Sequence, residues 1–375
     1  MFIRQIFLIL SKSILLLLLL QNSSCYVVRS IAWNVANLDD NKKFPADTIL
    51  KPNFSWNFLE SRKNKEKCMP GIIFHEKSPV SFETFLAERT TVAFLIIKKD
   101  TLIYEQYFQG YTKDSILPSF SIAKSFVSAL VGIALEEGYI HSIDQPITDF
   151  IPELKDPGFK RVTFQNLLAM RSGIAFEEDY LNPTGDIARF YYGRNLLKFC
   201  LNLKVTDEPG NRYNYQSANT QLIAIALERA TGVPLSEYFQ EKIWKPIGAE
   251  NNAIWNVDSK KNLELKAFCC MNASAVDFAK FGRLYLNEGS LDGIRIISKE
   301  WIQESLSIQN DSRDLDRYPY TYSWRVTAQG DFFAKGVGGQ YIFVCPHKKI
   351  IIVRLGVKYA DVPWPELFEK LCNEL

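Results

Sequence analysis

Residues Ser119-Phe120-Ser121-Ile122-Ala123-Lys124-Ser125-Phe126 place a serine and a lysine three positions apart at the entrance to an apolar run. On a helix this spacing puts the Ser121 hydroxyl and the Lys124 amine on one face. The amine can take the hydroxyl proton only as a free base, and burial disfavours its charged form. The run from Ser125 to Leu135 supplies that burial and stops near Gly138, a plain helix terminator. A helix beginning at Ser121 also aims backbone N–H groups at developing negative charge. A capped, solvent-facing helix start carries the same short signature, so the motif needs companions.

Few other residues offer this chemistry. The three histidines are His75, His141 and His347. His347 falls in a predicted hairpin turn and His141 follows a helix stop, which are surface or loop positions rather than seats for a general base. The chain has no Gly-x-Ser-x-Gly elbow for a Ser-His-Asp hydrolase and no His-x-x-x-His pair for zinc. Its 44 basic and 42 acidic residues leave a net charge of +2, so nucleic acid is not an expected partner.

With 375 residues and 47% hydrophobic content, the chain has material for one large domain or two small ones. The apolar run at 92–97, the polar turn Lys98-Lys99-Asp100 and Leu102-Ile103-Tyr104 predict a β-hairpin. A second is predicted where residues 341–344 and 350–355 flank Pro346-His347-Lys348-Lys349. Between them, residues 222–230 and 275–286 repeat apolar side chains at helical spacing. Pro365 opens a last helix with Leu367, Phe368 and Leu371 on one face. Strands at both ends of the chain predict an α+β fold, with a central antiparallel β-sheet flanked by helices and a mostly helical subdomain inserted.

The N-terminal stretch differs from the rest. Arg4 precedes an apolar run, residues 14–20 are unbroken Ile and Leu, and Gln21-Asn22-Ser23-Ser24 leads to Cys25. Residues 1–25 therefore read as an export signal, with an apolar core too short to cross a hydrocarbon layer of about 30 Å. Ser24 before Cys25 resembles the lipobox of bacterial lipoproteins, which implies a membrane lipid anchor at Cys25, although Asn22 stands where that motif has Leu. The expected location is the periplasm or cell envelope. Residues 26–74 read as an extension wrapping a main domain at 75–375. Six further cysteines, Cys68, Cys200, Cys269, Cys270, Cys345 and Cys372, permit disulfides without fixing any pairing. The adjacent Cys269-Cys270 pair and the wide spacing of the others show no zinc or redox pattern, and small buried hydrophobes is the plain reading for most of them.

The companion of the serine motif is Glu208-Pro209-Gly210-Asn211-Arg212-Tyr213-Asn214-Tyr215-Gln216-Ser217, followed by an apolar helix. It resembles the Pro-Gly-x-x-aromatic-x-Tyr-x-Asn segment of class C β-lactamases and related esterases, in which the tyrosine joins the serine and lysine. Tyr215 matches that tyrosine. Further on, Gly336-Val337-Gly338-Gly339-Gln340 stands where the serine β-lactamase and penicillin-binding-protein superfamily carries Lys-Thr-Gly or His-x-Gly on an edge strand. Residues 163–173 resemble the family's Thr-x-x-x-Leu-Leu-x-Met-x-Ser-Gly helix end, and residues 275–282 its late helix. The resemblance spans roughly residues 75–375, its motifs occur in the family's order, and the Gly-Gly-Gln ending is similar to the esterase and 6-aminohexanoate-dimer-hydrolase branch.

The resemblance implies a serine hydrolase acting on a small-molecule ester or amide without a cofactor or metal. Ser121 is the expected nucleophile, Lys124 and Tyr215 relay its proton, and Gln340 is expected to pair its N–H with that of Ser121 as an oxyanion hole. Gly338 and Gly339 are expected to let substrate backbone lie close. Two departures bear on substrate: Ser217 stands in place of Asn, removing a side-chain amide, and Val337 stands in place of Lys or His, removing a carboxylate ligand. Lys335, two residues earlier on the same side of a strand, can restore that charge. D,D-carboxypeptidase or β-lactamase activity and a non-catalytic sensor are the competing expectations. The residues leave the acyl group and oligomeric state open.

Overall fold

The computed structural model describes residues 25–33, 35–60, 72–75, 78–308, 312–313 and 317–375, with backbone alone over 72–79. The predicted export signal before Cys25, Cys68 and the His75 side chain lie outside the described residues.

Among the described residues the main sheet has seven strands. In chain order these are β1 (Leu59–Glu60), β2 (Thr91–Lys98), β3 (Thr101–Tyr107), β4 (Arg325–Val326), β5 (Phe332–Gly336), β6 (Gln340–Cys345) and β7 (Ile350–Gly356). Across the sheet they run β4-β5-β6-β7-β2-β3-β1, antiparallel except where β1 meets β3. Both predicted hairpins form, as β2–β3 and β6–β7, and β7 pairs with β2 to join the two ends of the domain. The fold is α+β, as the order of patterns predicts.

Helices cover both faces of the sheet, which is why residues 92–97 of β2 are all apolar rather than alternating. In chain order the longer helices are α1 (Tyr26–Trp33), α2 (Ala123–Glu136), α3 (Ser217–Thr231), α4 (Ala275–Leu286) and α5 (Trp364–Glu374). Ala93, Leu95 and Ile97 face the larger core with α4. There Gly282 allows close approach, since a Cβ on it would stand 3.0 Å from the side chains of both Ile342 and Ile351. Phe94 and Ile96 point the other way, where Trp364 and Phe368 of α5 pack against them and against Tyr341 and Phe343. Burying a side chain such as Phe368 stabilises the fold by about 1.5–3 kcal/mol. Helices α2 and α3 pack on one another in the helical part of the chain between β3 and β4.

A second, four-stranded sheet positions the site. Its spatial order is Ala46–Ile49, Ala253–Asn256, Met271–Ala273 and Leu117–Pro118. Ser119 continues the last strand by donating its N–H to Met271 O at 2.8 Å. The Ser121 turn therefore leaves one strand beside the Phe268-Cys269-Cys270 segment that enters its neighbour.

Two expectations change. The helix expected from Ser121 starts at Ala123, because Phe120–Ile122 form a 3-10 turn entered through a left-handed Phe120 with φ 45°. Cys269 and Cys270, whose spacing shows no redox pattern, are joined by a disulfide.

Candidate active site

Ser121 sits half-buried in the turn ahead of α2, and Lys124 lies one turn on with 1% of its surface exposed. The Lys124 amine donates to three oxygens: Phe268 O at 2.8 Å, Ser121 Oγ at 3.1 Å and Ser217 Oγ at 3.3 Å. Among the described residues no carboxylate forms an ion pair with this amine. The Tyr215 ring faces it, with the centroid 5.1 Å from Nζ. The structure thus brings Ser121, Lys124 and Tyr215 into one cleft, although nearly a hundred residues separate the serine from the tyrosine. Tyr215 also packs edge-on against the buried Tyr320, at 5.9 Å, so the tyrosine serves both packing and the cleft.

Local chemistry explains these placements. The left-handed Phe120 is a strained conformation for an aromatic residue, held by Ser119 Oγ donating to the Phe120 carbonyl at 3.1 Å. Gly336, at the end of β5, presses against this turn, where a Cβ would fall 2.3 Å from Ser119 O. Thr163 caps the short helix Phe164–Leu168 reciprocally with Asn166, and the following turn leads into the segment that carries Tyr215 through Asn214 N–H to Met170 O at 2.8 Å.

Ser217 opens α3, and its role differs from the lost amide contact that its substitution for Asn implies. Its backbone N–H and hydroxyl both donate to Glu178, at 2.7 and 2.6 Å. A carboxylate at a helix N-terminus is favourably placed. Tyr180 OH donates to the same carboxylate at 2.8 Å, and Tyr180 borders Ser121. Glu178 and Tyr180 carry no sequence signal of their own, since they lie in an irregular segment far from either motif.

Two lobes meet at Ser121, Tyr180 and Val337. One is walled mainly by apolar and aromatic side chains, including Phe120, Ile187, Tyr192 and Phe268, with Val35 and Ala36 contributed by the N-terminal segment. That segment is anchored by Tyr191 OH donating to Asp40 Oδ2 at 2.6 Å and by Arg29 Nε donating to Tyr192 O at 2.7 Å. The other lobe is polar and carries Glu178, Arg313, Arg325, Lys335 and the rings of Tyr213, Tyr215 and Tyr359. Lys335 lines it as expected, with Nζ 4.8 Å from the Tyr359 ring centroid.

Gln340, Gly338 and Gly339 do not line the cleft. The expectation that Gln340 supplies an oxyanion N–H is corrected: it lies past the turn, paired with Gly336 across the hairpin. Its side-chain amide donates to Val337 O at 3.0 Å and Gly356 O at 2.6 Å. Gly338 and Gly339 lie over the buried Arg354, whose guanidinium donates to Gly339 O at 2.6 Å. A Cβ on Gly339 would lie 2.1 Å from that guanidinium, so the glycine makes room for it. Val337, read as a departure, is the hairpin residue presented to Ser121.

Residues 81–358 match the family model described as Beta-lactamase. A 6-aminohexanoate-dimer hydrolase of Paenarthrobacter ureafaciens is 26% identical over 309 residues, covering 76% of this chain and 75% of that protein. A solved structure from Bacillus anthracis, assigned as a 6-aminohexanoate-dimer hydrolase, superposes with a TM-score of 0.77 at 24% identity, covering 88% of this chain and 89% of the other. A family VIII carboxylesterase shares the fold at a TM-score of 0.63 and 18% identity, over 78% of this chain and 94% of its own. The chain belongs to the beta-lactamase family, as a β-lactamase-fold hydrolase related to 6-aminohexanoate-dimer hydrolase.

Proposed function

We propose that this protein is a serine hydrolase that cleaves an ester or amide through an acyl-enzyme on Ser121. The carrying observation is the 3.1 Å contact between Lys124 Nζ and Ser121 Oγ in a buried setting where, among the described residues, no carboxylate pairs directly with the amine. Phe268 O accepts from Lys124, and Ser217 Oγ, its own proton given to Glu178, accepts as well. In the neutral amine these two acceptors take both N–H bonds, which turns the lone pair toward Ser121. Ser121 Oγ then attacks the substrate carbonyl carbon as its proton passes to Lys124. Lys124 passes that proton to Tyr215 as the Tyr215 phenol protonates the departing alcohol or amine; an attacking water, its proton taken up by the restored Lys124 amine, then releases the acyl group and returns Ser121. The N–H groups of Ser121 and Val337 are the oxyanion donors in this scheme.

The two lobes indicate the substrate class. The apolar lobe suits the acyl chain, and Arg325 and Lys335 suit an anionic end on the leaving side. A 6-aminohexanoate dimer has the carboxylate on its leaving half that this requires, but its acyl half ends in an ammonium, so an amide or ester with an uncharged acyl chain fits the apolar lobe better. A D,D-carboxypeptidase is the second reading, favoured by Lys335 in the cleft. The proposal extends to export, which the Cys269–Cys270 disulfide supports because such bonds persist in oxidising compartments.

A fluorophosphonate probe is expected to label the wild-type chain at Ser121 and to leave Ser121→Ala unlabelled. Full labelling of the variant overturns the assignment. Turnover of linear amides and short esters, with no release of D-Ala from a peptide analogue, separates the first reading from the second.

A further inference from the structure

At the opposite end of β5 from the cleft, three side chains converge: Asp331 precedes β5, Cys345 ends β6 and His347 lies in the turn after it, with Cys372 of α5 beside Cys345. Asp331, Cys345 and Cys372 are each at most 1% exposed, while His347 is half-exposed and opens the cluster to solvent. His347 Nδ1 is 3.3 Å from Asp331 Oδ1 and 3.5 Å from Cys345 Sγ. The ligand atoms of Asp331, Cys345 and His347 all lie within 4.8 Å of one another, and Cys372 stands outside that group. Cys345 and Cys372 are not joined to each other.

Ligand atoms around a tetrahedral ion with bonds of about 2.0–2.3 Å stand about 3.3–3.8 Å apart. The two separations from His347 Nδ1, 3.3 and 3.5 Å, fall close to that range. A buried carboxylate, a buried thiol and an imidazole nitrogen are together the donor types that such an ion takes. We propose that Asp331, Cys345 and His347 form a three-ligand binding site for one thiophilic divalent cation of the Zn2+ class at the end of the sheet. Binding displaces the Cys345 thiol proton to solvent, and one thiolate and one carboxylate then balance the two charges of the ion. The fourth position, beside the half-exposed His347, falls to water, and the site lies away from Ser121.

The test uses the untagged mature chain with Zn2+ and Co2+ as probes, in a Cys269→Ser/Cys270→Ser background so that the other cysteine pair contributes nothing. About one equivalent of Zn2+ is expected to survive dialysis, and Co2+ is expected to give a thiolate charge-transfer band with tetrahedral d–d bands. Cys345→Ser is expected to lose that band, and Cys372→Ser to keep it. His347→Ala, a change in an exposed turn that the fold tolerates, is expected to weaken Zn2+ binding at least about tenfold. Sub-stoichiometric Zn2+ with no band, unchanged affinity in His347→Ala, or a Cys345–Cys372 disulfide by mass spectrometry each overturns the proposal.

Discussion

Glu178 holds Ser217 at two points, accepting its backbone N–H at 2.7 Å and its hydroxyl at 2.6 Å. The hydroxyl proton is thereby committed to Glu178, and the Ser217 oxygen is left to accept from Lys124 at 3.3 Å. Glu178→Gln keeps the shape but places an amide donor against Ser217, whose proton can then turn toward Lys124. The expected result is a fall in kcat of about tenfold to a hundredfold with a displaced pH–rate profile. Melting temperature within a few degrees of wild type separates this from unfolding, and an unchanged pH profile refutes the role.

Lys335 gives the polar lobe a movable cation beside Gly336 and Val337. In Lys335→Ala, KM for substrates with a carboxylate on the leaving side is expected to rise about tenfold, with little change for neutral esters. Steady-state kinetics on a matched carboxylate and methyl-ester pair reads this directly. Equal effects on both substrates rule out charge recognition.

Ala36 places the N-terminal segment in the wall of the apolar lobe. Enlarging it in Ala36→Leu narrows that lobe without touching Ser121 or Lys124. Activity on octanoyl esters is expected to drop at least about fivefold while acetyl esters are cleaved normally, since a displaced methylene or two is worth about 1–3 kcal/mol. A chain-length profile identical to wild type shows that the acyl group lies elsewhere.

Burial, reinforced by Glu228 and Asp258, raises the Glu264 carboxyl from 4.5 to about 7. Between those values the folded chain keeps a proton that the unfolded chain has released, so stability falls as pH rises through this window. Glu264→Gln preserves an acceptor for Gln221 Nε2, now 3.1 Å away, and cannot ionise. The variant is expected to exceed wild type at about pH 8 by on the order of 2 kcal/mol, with the gain absent near pH 4. Urea unfolding at both values measures it, and an equal midpoint at the higher pH contradicts the assignment.

The strands and helices were legible because periodicity and turn chemistry are local: the apolar run at 92–97, the Pro346–Lys349 turn and the spacing at 275–286 predict elements that the structure contains. The pairing of β7 with β2 follows from the pattern only as a class of fold, since register depends on which faces are covered. Ser121 and Lys124 could be read together because helical spacing alone puts them side by side. The Gln340 expectation failed at the hairpin, where the turn geometry decides which N–H faces the cleft.

By itself, the order of residues determined the α+β class, through the sequence of strand and helix patterns, and the Ser121–Lys124 pair, through spacing within a single segment; Tyr215 was joined to them only by the resemblance of its segment to class C β-lactamases. The tertiary structure alone decided that Glu178 holds Ser217, that Val337 rather than Gln340 faces Ser121, and that Asp331 and His347 meet Cys345. Those contacts join segments brought together by sheet pairing and helix packing, and no local periodicity encodes a distance between them.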